Sequence, residues 1–374
     1  MTLRWNLVAL LVLAARLLSA QDTSRVVPDD GWPDLSKFFD KPYGFIPVLA
    51  PITEPAVGYG AAGALIFLDK RKDGIVDMRH PSITGVGGFA TEDGSWGAFG
   101  GFSRYAFNNK LKWRGAGAYL NLFLDFYGLS EASPLNDAPI SYELTGYGGM
   151  LGGAYALGKS RLWAGLDYVL GHSEVDVTSP APVPPEIGEF NASATLAALR
   201  PSVLYDSRSN VFSPIYGLYA EASASVFDNA WGSDVEFTRG GLIVLGFLPL
   251  GRNLYFGIKG EGSASTDDTP FYLKPYVTLR GVTSQRIQGE QVADTEGEIR
   301  WQFWKRLSAV GFLGVGGAWS KTEGQDQSSS VVSGGTGIRY EIARKYGIHM
   351  GLDVGFGPDD PILYVTFGHA WSRP

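Results

Sequence analysis

The chain has 374 residues, of which 45% are hydrophobic and 18% charged, and its formal net charge is −7. The absence of cysteine excludes disulfide and thiolate chemistry, and the acidic balance without a basic stripe argues against a nucleic-acid partner. Fifty glycines with 10 Trp, 18 Tyr and 21 Phe are typical of an outer-membrane wall and unusual for a helical protein.

The first twenty residues resemble a secretory signal peptide. Arg4 precedes an apolar run over residues 7–15, and the small residues Ser19 and Ala20 suit a cleavage site before Gln21. We therefore predict a signal peptide over residues 1–20 and a short polar periplasmic tail over residues 21–42. No later stretch is apolar enough to be a membrane helix, so a membrane-embedded mature chain would cross as strands.

From residue 43 onward, apolar side chains alternate with charged or small ones. Successive side chains of a strand point to opposite faces, so each such segment has one apolar and one polar surface. One strand of this kind also fits a soluble sandwich, but many of them in a glycine-rich chain favour a membrane barrel. The clearest example runs Glu296, Gly297, Glu298, Ile299, Arg300, Trp301, Gln302, Phe303.

The pattern predicts an all-β fold, a transmembrane antiparallel β-barrel of about 16 strands that occupies residues 43–374 as one domain. Links at one end are tight, such as 108–110 and 251–252, whereas links at the other end are long, such as 129–139, 266–293 and 321–328. The long basic link 69–80 is the exception. The strands are predicted near residues 43–51, 56–68, 81–90, 96–107, 111–127, 140–156, 161–175, 191–206, 216–227, 234–249, 253–265, 294–304, 308–320, 329–342, 348–357 and 361–371.

The charged positions of these strands are predicted to face the lumen, because a lysine or arginine near the bilayer midplane costs about 2–4 kcal/mol on the lipid face. The longest link carries Arg280 and Gly281, and if it folds inward Arg280 could pair with Asp353 or Glu298. The predicted lumen charges are Glu221, Glu236, Lys259, Glu261, Glu296, Glu298, Arg300, Arg339, Glu341 and Asp353.

Two motifs in this half of the chain resemble the BamA/TamA-like bacterial surface antigen family of outer-membrane barrels. They are Leu279-Arg280-Gly281-Val282 and Gly351-Leu352-Asp353-Val354-Gly355. In that family an Arg-Gly motif on an inward-folded loop contacts a glycine-flanked aspartate on a late strand. The resemblance therefore implies that Arg280 and Gly281 form the inward-loop motif. It also implies the wall partners Asp353, Gly351, Gly355 and Glu298.

Residues 206–217 and 51–60 are also similar to a periplasmic turn and a first hairpin of that family. Three features depart from the family pattern. Val282 stands where an aromatic residue is usual, the last strand continues into Ser372-Arg373-Pro374, and we expect no periplasmic client-binding domains ahead of the barrel.

The resemblance implies an outer-membrane protein of a Gram-negative bacterium that assists insertion of other barrel proteins or translocation of chains. Its first and last strands, 43–51 and 361–371, would open sideways, with Trp371 as the aromatic residue of this lateral gate. The implied partners are outer-membrane lipid and unfolded outer-membrane proteins or a periplasmic partner, with no nucleic acid. A passive pore for small solutes and a structural surface barrel remain the alternatives.

No enzymatic chemistry is predicted. Glu296 and Glu298 lie about 7 Å apart on one strand face, which any alternating strand produces. The chain contains no Gly-x-Ser-x-Gly nucleophile elbow, so no catalytic residue is assigned. No cofactor or metal is expected, since the four histidines are widely separated: His80, His172, His349 and His369.

Overall fold

The computed structural model describes residues 30–36, 45–69, 77–129, 133–158, 160–178, 192–322 and 325–373. The predicted signal peptide lies outside these residues, and only 30–36 of the predicted tail are included. In the described part of the chain, no helix is long and apolar enough to cross a membrane.

Sixteen strands form one sheet in which every strand pairs antiparallel with its neighbour in the sequence, in the order β1 to β16. The sheet curls into a nearly closed barrel, which confirms the predicted fold class and strand number. The strands are β1 Phe45–Ile52, β2 Gly60–Asp69, β3 Ser82–Thr91, β4 Trp96–Ala106, β5 Leu111–Phe126, β6 Ile140–Ala156, β7 Leu162–Val177, β8 Ala192–Asp206, β9 Gly217–Phe227, β10 Phe237–Pro249, β11 Leu254–Ser265, β12 Gln291–Trp304, β13 Leu307–Thr322, β14 Gln325–Ala343, β15 Ile348–Phe356 and β16 Ile362–Phe367.

The alternation of the sequence becomes an inside and an outside. On β12, Glu296 and Glu298 are 1% and 3% exposed, whereas Ile299 and Trp301 are 49% and 56% exposed. The charged face of the strand therefore lines the barrel interior, and the apolar face lies on the outside. A soluble sandwich has the opposite arrangement, with apolar side chains inside and charged side chains outside. Most of the predicted lumen charges are buried in this way, namely Glu221, Lys259, Glu296, Glu298, Arg300, Arg339 and Asp353.

Three predictions about boundaries are wrong. Glu236 lies ahead of β10, is exposed and accepts a hydrogen bond from Asn229, so it does not line the lumen. The predicted long link 321–328 is mostly strand, because β13 runs to Thr322 and β14 begins at Gln325. The last strand ends at Phe367, four residues before its predicted end at Trp371.

The two ends of the barrel differ. We call the end that holds the start of β1 and the end of β16 the terminal end, and the opposite end the loop end. Residues 207–216, which join β8 to β9, fold across the mouth at the terminal end and are called the mouth segment. There the Val211 N–H donates to Met78 O at 3.0 Å, Asn210 Nδ2 donates to Tyr346 O at 2.8 Å, and Phe212 O accepts the His369 N–H at 2.6 Å.

Residues 30–36 dock at the terminal end, where they contact the β12–β13 turn. Arg306 donates from Nε to Asp30 Oδ2 at 2.7 Å and from Nη2 to Asp34 Oδ2 at 3.0 Å. The side-chain hydrogen bond from Arg306 is the largest cause that holds the pKa of Asp30 below its ordinary value. Trp32 packs edge-on against Trp304, with ring centroids 4.9 Å apart. The segment is thereby fixed to the barrel rim by charge and by aromatic packing.

Candidate functional site

The link between β11 and β12, residues 266–290, enters the barrel from the loop end and is called the inner loop. At its base Phe271 packs edge-on against Phe126 and Tyr142, with ring centroids 5.2 Å apart in each pair. Further in, the two arms of the loop pair with each other, because Tyr276 bridges Gln288. The inner loop is therefore a narrow hairpin, anchored on the wall of β5 and β6.

A tight turn forms the tip of the inner loop. The Val282 N–H donates to Leu279 O at 3.2 Å, and Gly281 has a φ of 89°, which only glycine adopts without strain. A Cβ on Gly281 would lie 2.7 Å from Phe356 N, and a Cβ on Gly355 would lie 2.7 Å from Gly281 N. The two glycines thus let the loop tip touch the backbone of β15 directly.

Gly351 provides space of a different kind. A Cβ there would lie 2.5 Å from Cδ of Arg339, so Gly351 makes room for an arginine of the neighbouring strand and not for the loop. Both glycines that flank Asp353 therefore permit a close approach: Gly355 makes room for the loop tip, and Gly351 makes room for the Arg339 side chain.

Arg280 lies at the centre of a set of buried charges that we call the arginine cluster: Arg280, Glu296, Glu298, Arg339 and Asp353. Arg280 Nη1 is 2.8 Å from Asp353 Oδ2, and Nη2 is 2.8 Å from Glu298 Oε2 and 2.7 Å from Glu296 Oε1. Its Nε donates to Glu296 Oε1 at 2.9 Å. The side chains of these three carboxylates are at most 2% exposed, so Arg280 is their shared counter-charge.

Further donors complete the arginine cluster. Arg339 Nη2 donates to Asp353 Oδ2 at 2.7 Å, and its Nη1 pairs with Asp353 Oδ1. The Phe312 ring lies 3.7 Å from the Arg280 guanidinium carbon, within range of a cation–π contact. Because buried charges are tolerated only when paired and hydrogen-bonded, the cluster holds the loop tip in one position.

The residues after β16 also enter the interior. The chain turns at Gly368, whose φ is 83°, and the Gly368 N–H donates to His349 O at 2.7 Å. His369 Nε2 then lies 3.0 Å from Glu298 Oε1, and Trp371 Nε1 donates to Glu296 Oε1 at 2.7 Å. Trp371 is therefore not on the last strand, as the sequence predicted, but inside the barrel against the arginine cluster.

The barrel is not closed by a backbone ladder between its first and last strands. Within the described residues, β1 pairs only with β2, and β16 only with β15. The gap between β1 and β16 is called the seam. Thr53 forms two hydrogen bonds across it, because its Oγ1 donates to Leu363 O at 2.7 Å and accepts the Leu363 N–H at 2.9 Å. No feature of the sequence singled out Thr53, because a threonine after a strand resembles any loop residue.

The inner loop holds both sides of the seam from within. The Gly281 N–H donates to the hydroxyl of Tyr364 on β16 at 2.8 Å, and the Ser284 N–H donates to Glu54 Oε1, just after β1, at 2.8 Å. Burial raises the pKa of Glu54 above its ordinary value. A cavity of about 520 Å³ separates the loop from β16, lined among others by Glu54, Arg280, Tyr364, Thr366 and His369. Seam, loop tip and cavity are therefore one connected region.

A second buried network lies on the wall formed by β5, β7, β8 and β9. Arg114 binds both carboxylate oxygens of Asp167, at 3.0 and 2.7 Å, and Arg200 links Asp167 at 3.2 Å to Glu221 at 2.8 Å. Of these residues the sequence reasoning named only Glu221. The signal was available, because charged residues at alternate strand positions must face inward, but their partners could not be assigned without the register.

The acidic residues of the site are already engaged by other side chains. Among the residues that the structure describes, no three His, Asp or Glu side chains are arranged to hold a metal ion. Glu296 and Glu298 are both occupied by Arg280 and by the residues after β16.

Fold and site together define a 16-stranded outer-membrane-type barrel with a charged interior and an inner loop fixed beside an unpaired seam. The sequence profile of the Omp85 superfamily domain matches residues 103–359, well over half of the chain. The chain belongs to the Omp85 superfamily. The barrels of this family are outer-membrane proteins of Gram-negative bacteria.

Solved structures agree with this fold. BamA from Haemophilus ducreyi lacking POTRA domains 1–3 superposes with a TM-score of 0.56 at 13% identity, covering 85% of this chain and 69% of that chain. CdiB from Escherichia coli gives a TM-score of 0.59 at 10% identity, covering 89% and 69%. CdiB from Acinetobacter baumannii gives 0.56 at 9% identity, covering 86% and 59%. No curated protein sequence matches the chain.

Proposed function

We propose that this protein resides in the outer membrane and assists the insertion of other outer-membrane barrel proteins through its seam. In this proposal residues 1–20 are a removed signal peptide, and the terminal end with the tail 21–42 faces the periplasm. Its partners are outer-membrane lipid and unfolded barrel proteins. It performs no covalent chemistry, in keeping with a family of transporters and assembly factors.

The seam is the observation that carries the proposal. An unpaired strand edge presents a row of free N–H and C=O groups, which can template an incoming strand. Here β1 and β16 present such edges to each other and are linked by the Thr53 hydrogen bonds. The inner loop adds one hydrogen bond to Tyr364 and one to Glu54. Each hydrogen bond contributes about 1 kcal/mol net, so these four bonds hold the seam less strongly than a full ladder would.

The strands at the seam are also short. β16 has six residues and β1 eight, whereas β6 has 17 and β14 has 19. At about 3.4 Å per residue and a tilt near 45°, six residues rise about 15 Å, less than the apolar band of about 25 Å on such barrels. The wall is therefore weakest where a client strand would enter.

A passive pore is the less favoured reading. The inner loop crosses the lumen to the arginine cluster, and the mouth segment bonds to three other parts of the terminal end. Both would have to move to open a continuous path. A selective pore would present its lumen charges to passing ions. Here most of the lumen charges form ion pairs with each other.

We expect the protein to accelerate folding of a urea-unfolded small barrel protein into liposomes. The reason is that an open strand edge replaces the slow nucleation of a new barrel in lipid. The measurement is the rate at which the client gains heat-modifiable migration, in liposomes with this protein and in matched liposomes with an unrelated closed barrel of similar size. Equal rates in the two preparations, together with steady ion-selective conductance, would support the pore instead.

A further inference from the structure

A second site lies at the terminal end, away from the seam. Four connections meet there: residues 77–81 of the β2–β3 link, the β4–β5 turn, the β6–β7 turn and the mouth segment. They surround a cavity of about 320 Å³. Its lining includes the carboxylate of Asp206 and six basic or amide side chains, namely Arg79, Asn108, Asn109, Lys110, Arg161 and Arg208.

The charges around this cavity are unbalanced. Arg208 is neutralised by Asp206, to which it donates from Nε at 3.0 Å and from Nη2 at 2.8 Å. Arg79, Lys110 and Arg161 form no ion pair with any carboxylate in the described part of the chain, and Arg79 reaches only the hydroxyl of Tyr216, at 3.3 Å. Among the described residues, three cations thus border one concave space without a carboxylate partner.

Asp77, two residues before Arg79, is already engaged. Asp77 Oδ2 lies 3.3 Å from His80 Nδ1 and accepts a hydrogen bond from Asn109 Nδ2 at 3.2 Å. Asp77 therefore serves to position His80 and Asn109 beside the cavity. It does not neutralise the three free cations.

The β4–β5 turn has an energetically unfavourable backbone conformation. Phe107, Asn108 and Asn109 have φ values of 51°, 56° and 63°, so three successive non-glycine residues are left-handed. A left-handed conformation costs roughly 1–2 kcal/mol for each residue that has a Cβ, although asparagine tolerates this conformation better than most residues. The turn brings both asparagines to the cavity and leaves Phe107 73% exposed. Such local strain commonly marks a functional position.

A set of exposed apolar residues, called the apolar rim, neighbours the cavity lining in the chain: Phe107 precedes Asn108, and Leu157 lies between Ala156 and Gly158. Trp113, Tyr155 and Leu157 are 45%, 54% and 44% exposed there, in addition to Phe107. Exposed aromatic residues at a strand end are typical of the membrane–water interface. A free phosphate ion would use only the cations, whereas a phospholipid would use the cations and the apolar rim together.

We propose that this cavity binds the headgroup phosphate of an anionic phospholipid, with the acyl chains lying along Phe107, Trp113 and Tyr155. The inference rests on the proposed placement of the terminal end at the inner leaflet, but not on assembly activity. It assigns Arg79, Lys110 and Arg161 to the phosphate, and Asn108 and Asn109 to the polar headgroup.

The test is native mass spectrometry of the full-length mature protein in detergent, titrated with phosphatidylglycerol or phosphatidylcholine. We expect a preference for phosphatidylglycerol that falls at least about tenfold in K110Q/R161Q, because each basic residue near an anionic surface contributes about fivefold in affinity. The matched control is R252Q, which removes a cation at the β10–β11 turn, outside the cavity. Heat-modifiable migration verifies that all variants fold.

Equal retention of the two lipids, or an equal loss in R252Q and K110Q/R161Q, would overturn the proposal. Displacement of phosphatidylglycerol by inorganic phosphate at a similar concentration would overturn the assignment to a lipid and leave a phosphate site. Because lipid retention is measured without a client, failure of the assembly proposal would not change this result.

Discussion

Replacing Arg280 with alanine is expected to prevent stable folding of most of the protein. The substitution leaves Glu296, Glu298 and Asp353 buried with Arg339 as the remaining arginine of the cluster. Removing one partner from a buried ion pair costs about 3–5 kcal/mol, a large part of the stability of a typical protein. The measurements are the heat-modifiable fraction after refolding and the urea midpoint of the folded remainder.

The matched control for R280A is R286A, on the same inner loop. Arg286 Nε lies 3.4 Å from Asp359 Oδ1, and both side chains are partly exposed, at 19% and 30%. Arg286 also donates to Asn136 Oδ1 at 2.5 Å and lies 4.4 Å from the centre of the Tyr127 ring. Its loss should therefore cost about 2 kcal/mol, less than the loss of Arg280. Adding E296Q and E298Q to R280A should recover part of the stability, because the uncompensated charges are removed with their partner. If R280A and R286A had the same small effect, the arginine cluster would not be what holds the inner loop.

Joining the seam with a disulfide is expected to abolish acceleration of client folding while leaving the barrel folded. The chain has no cysteine, so T53C/L363C supplies the only thiols. Thr53 Oγ1 lies within 2.9 Å of both backbone polar atoms of Leu363, so the two residues are direct neighbours across the seam. Client folding rates are measured with the oxidised and the reduced protein, and reduction should restore the acceleration.

The control disulfide, A222C/L242C, joins the directly opposed residues Ala222 and Leu242 of β9 and β10, far from the seam in strand order. It should have no effect on client folding when oxidised. Undiminished activity of oxidised T53C/L363C would exclude opening of the seam as the mechanism. Loss of activity in both locked proteins would indicate a general need for flexibility of the wall.

The alternation of side chains was sufficient to predict the barrel, because a period of two and the cost of a charge in lipid both act locally. The same alternation gave a wrong strand boundary at the end of the chain. Residues 366–371 alternate like a strand, but Gly368 turns inward and Trp371 finds a partner in Glu296. That partner is 75 residues away in the sequence. Whether these residues form a strand or turn inward therefore depends on a tertiary contact, which the local periodicity of the sequence cannot reveal.

For the candidate site, the sequence and the family resemblance identified Arg280, Gly281 and Asp353. The structure places Arg280 against Asp353, and Gly281 against Gly355 and Phe356. The role of Thr53 could not be found in the same way. Its hydrogen bonds to Leu363 span 310 residues and exist only because the sheet curls until its first and last strands meet. A contact across the seam depends on closure of the whole barrel and leaves no local signal in the sequence.

The most direct test of seam-mediated assembly is disulfide cross-linking of a folding client to the first strand. Leu49 on β1 and Leu242 on β10 are both exposed, at 38% and 52%, but β10 is paired on both sides whereas β1 is paired on one. With a single cysteine in the client's last strand, L49C should form a cross-linked product during client folding and L242C should not. Equal yields at the two positions, or no product at L49C while the client folds faster, would contradict the account.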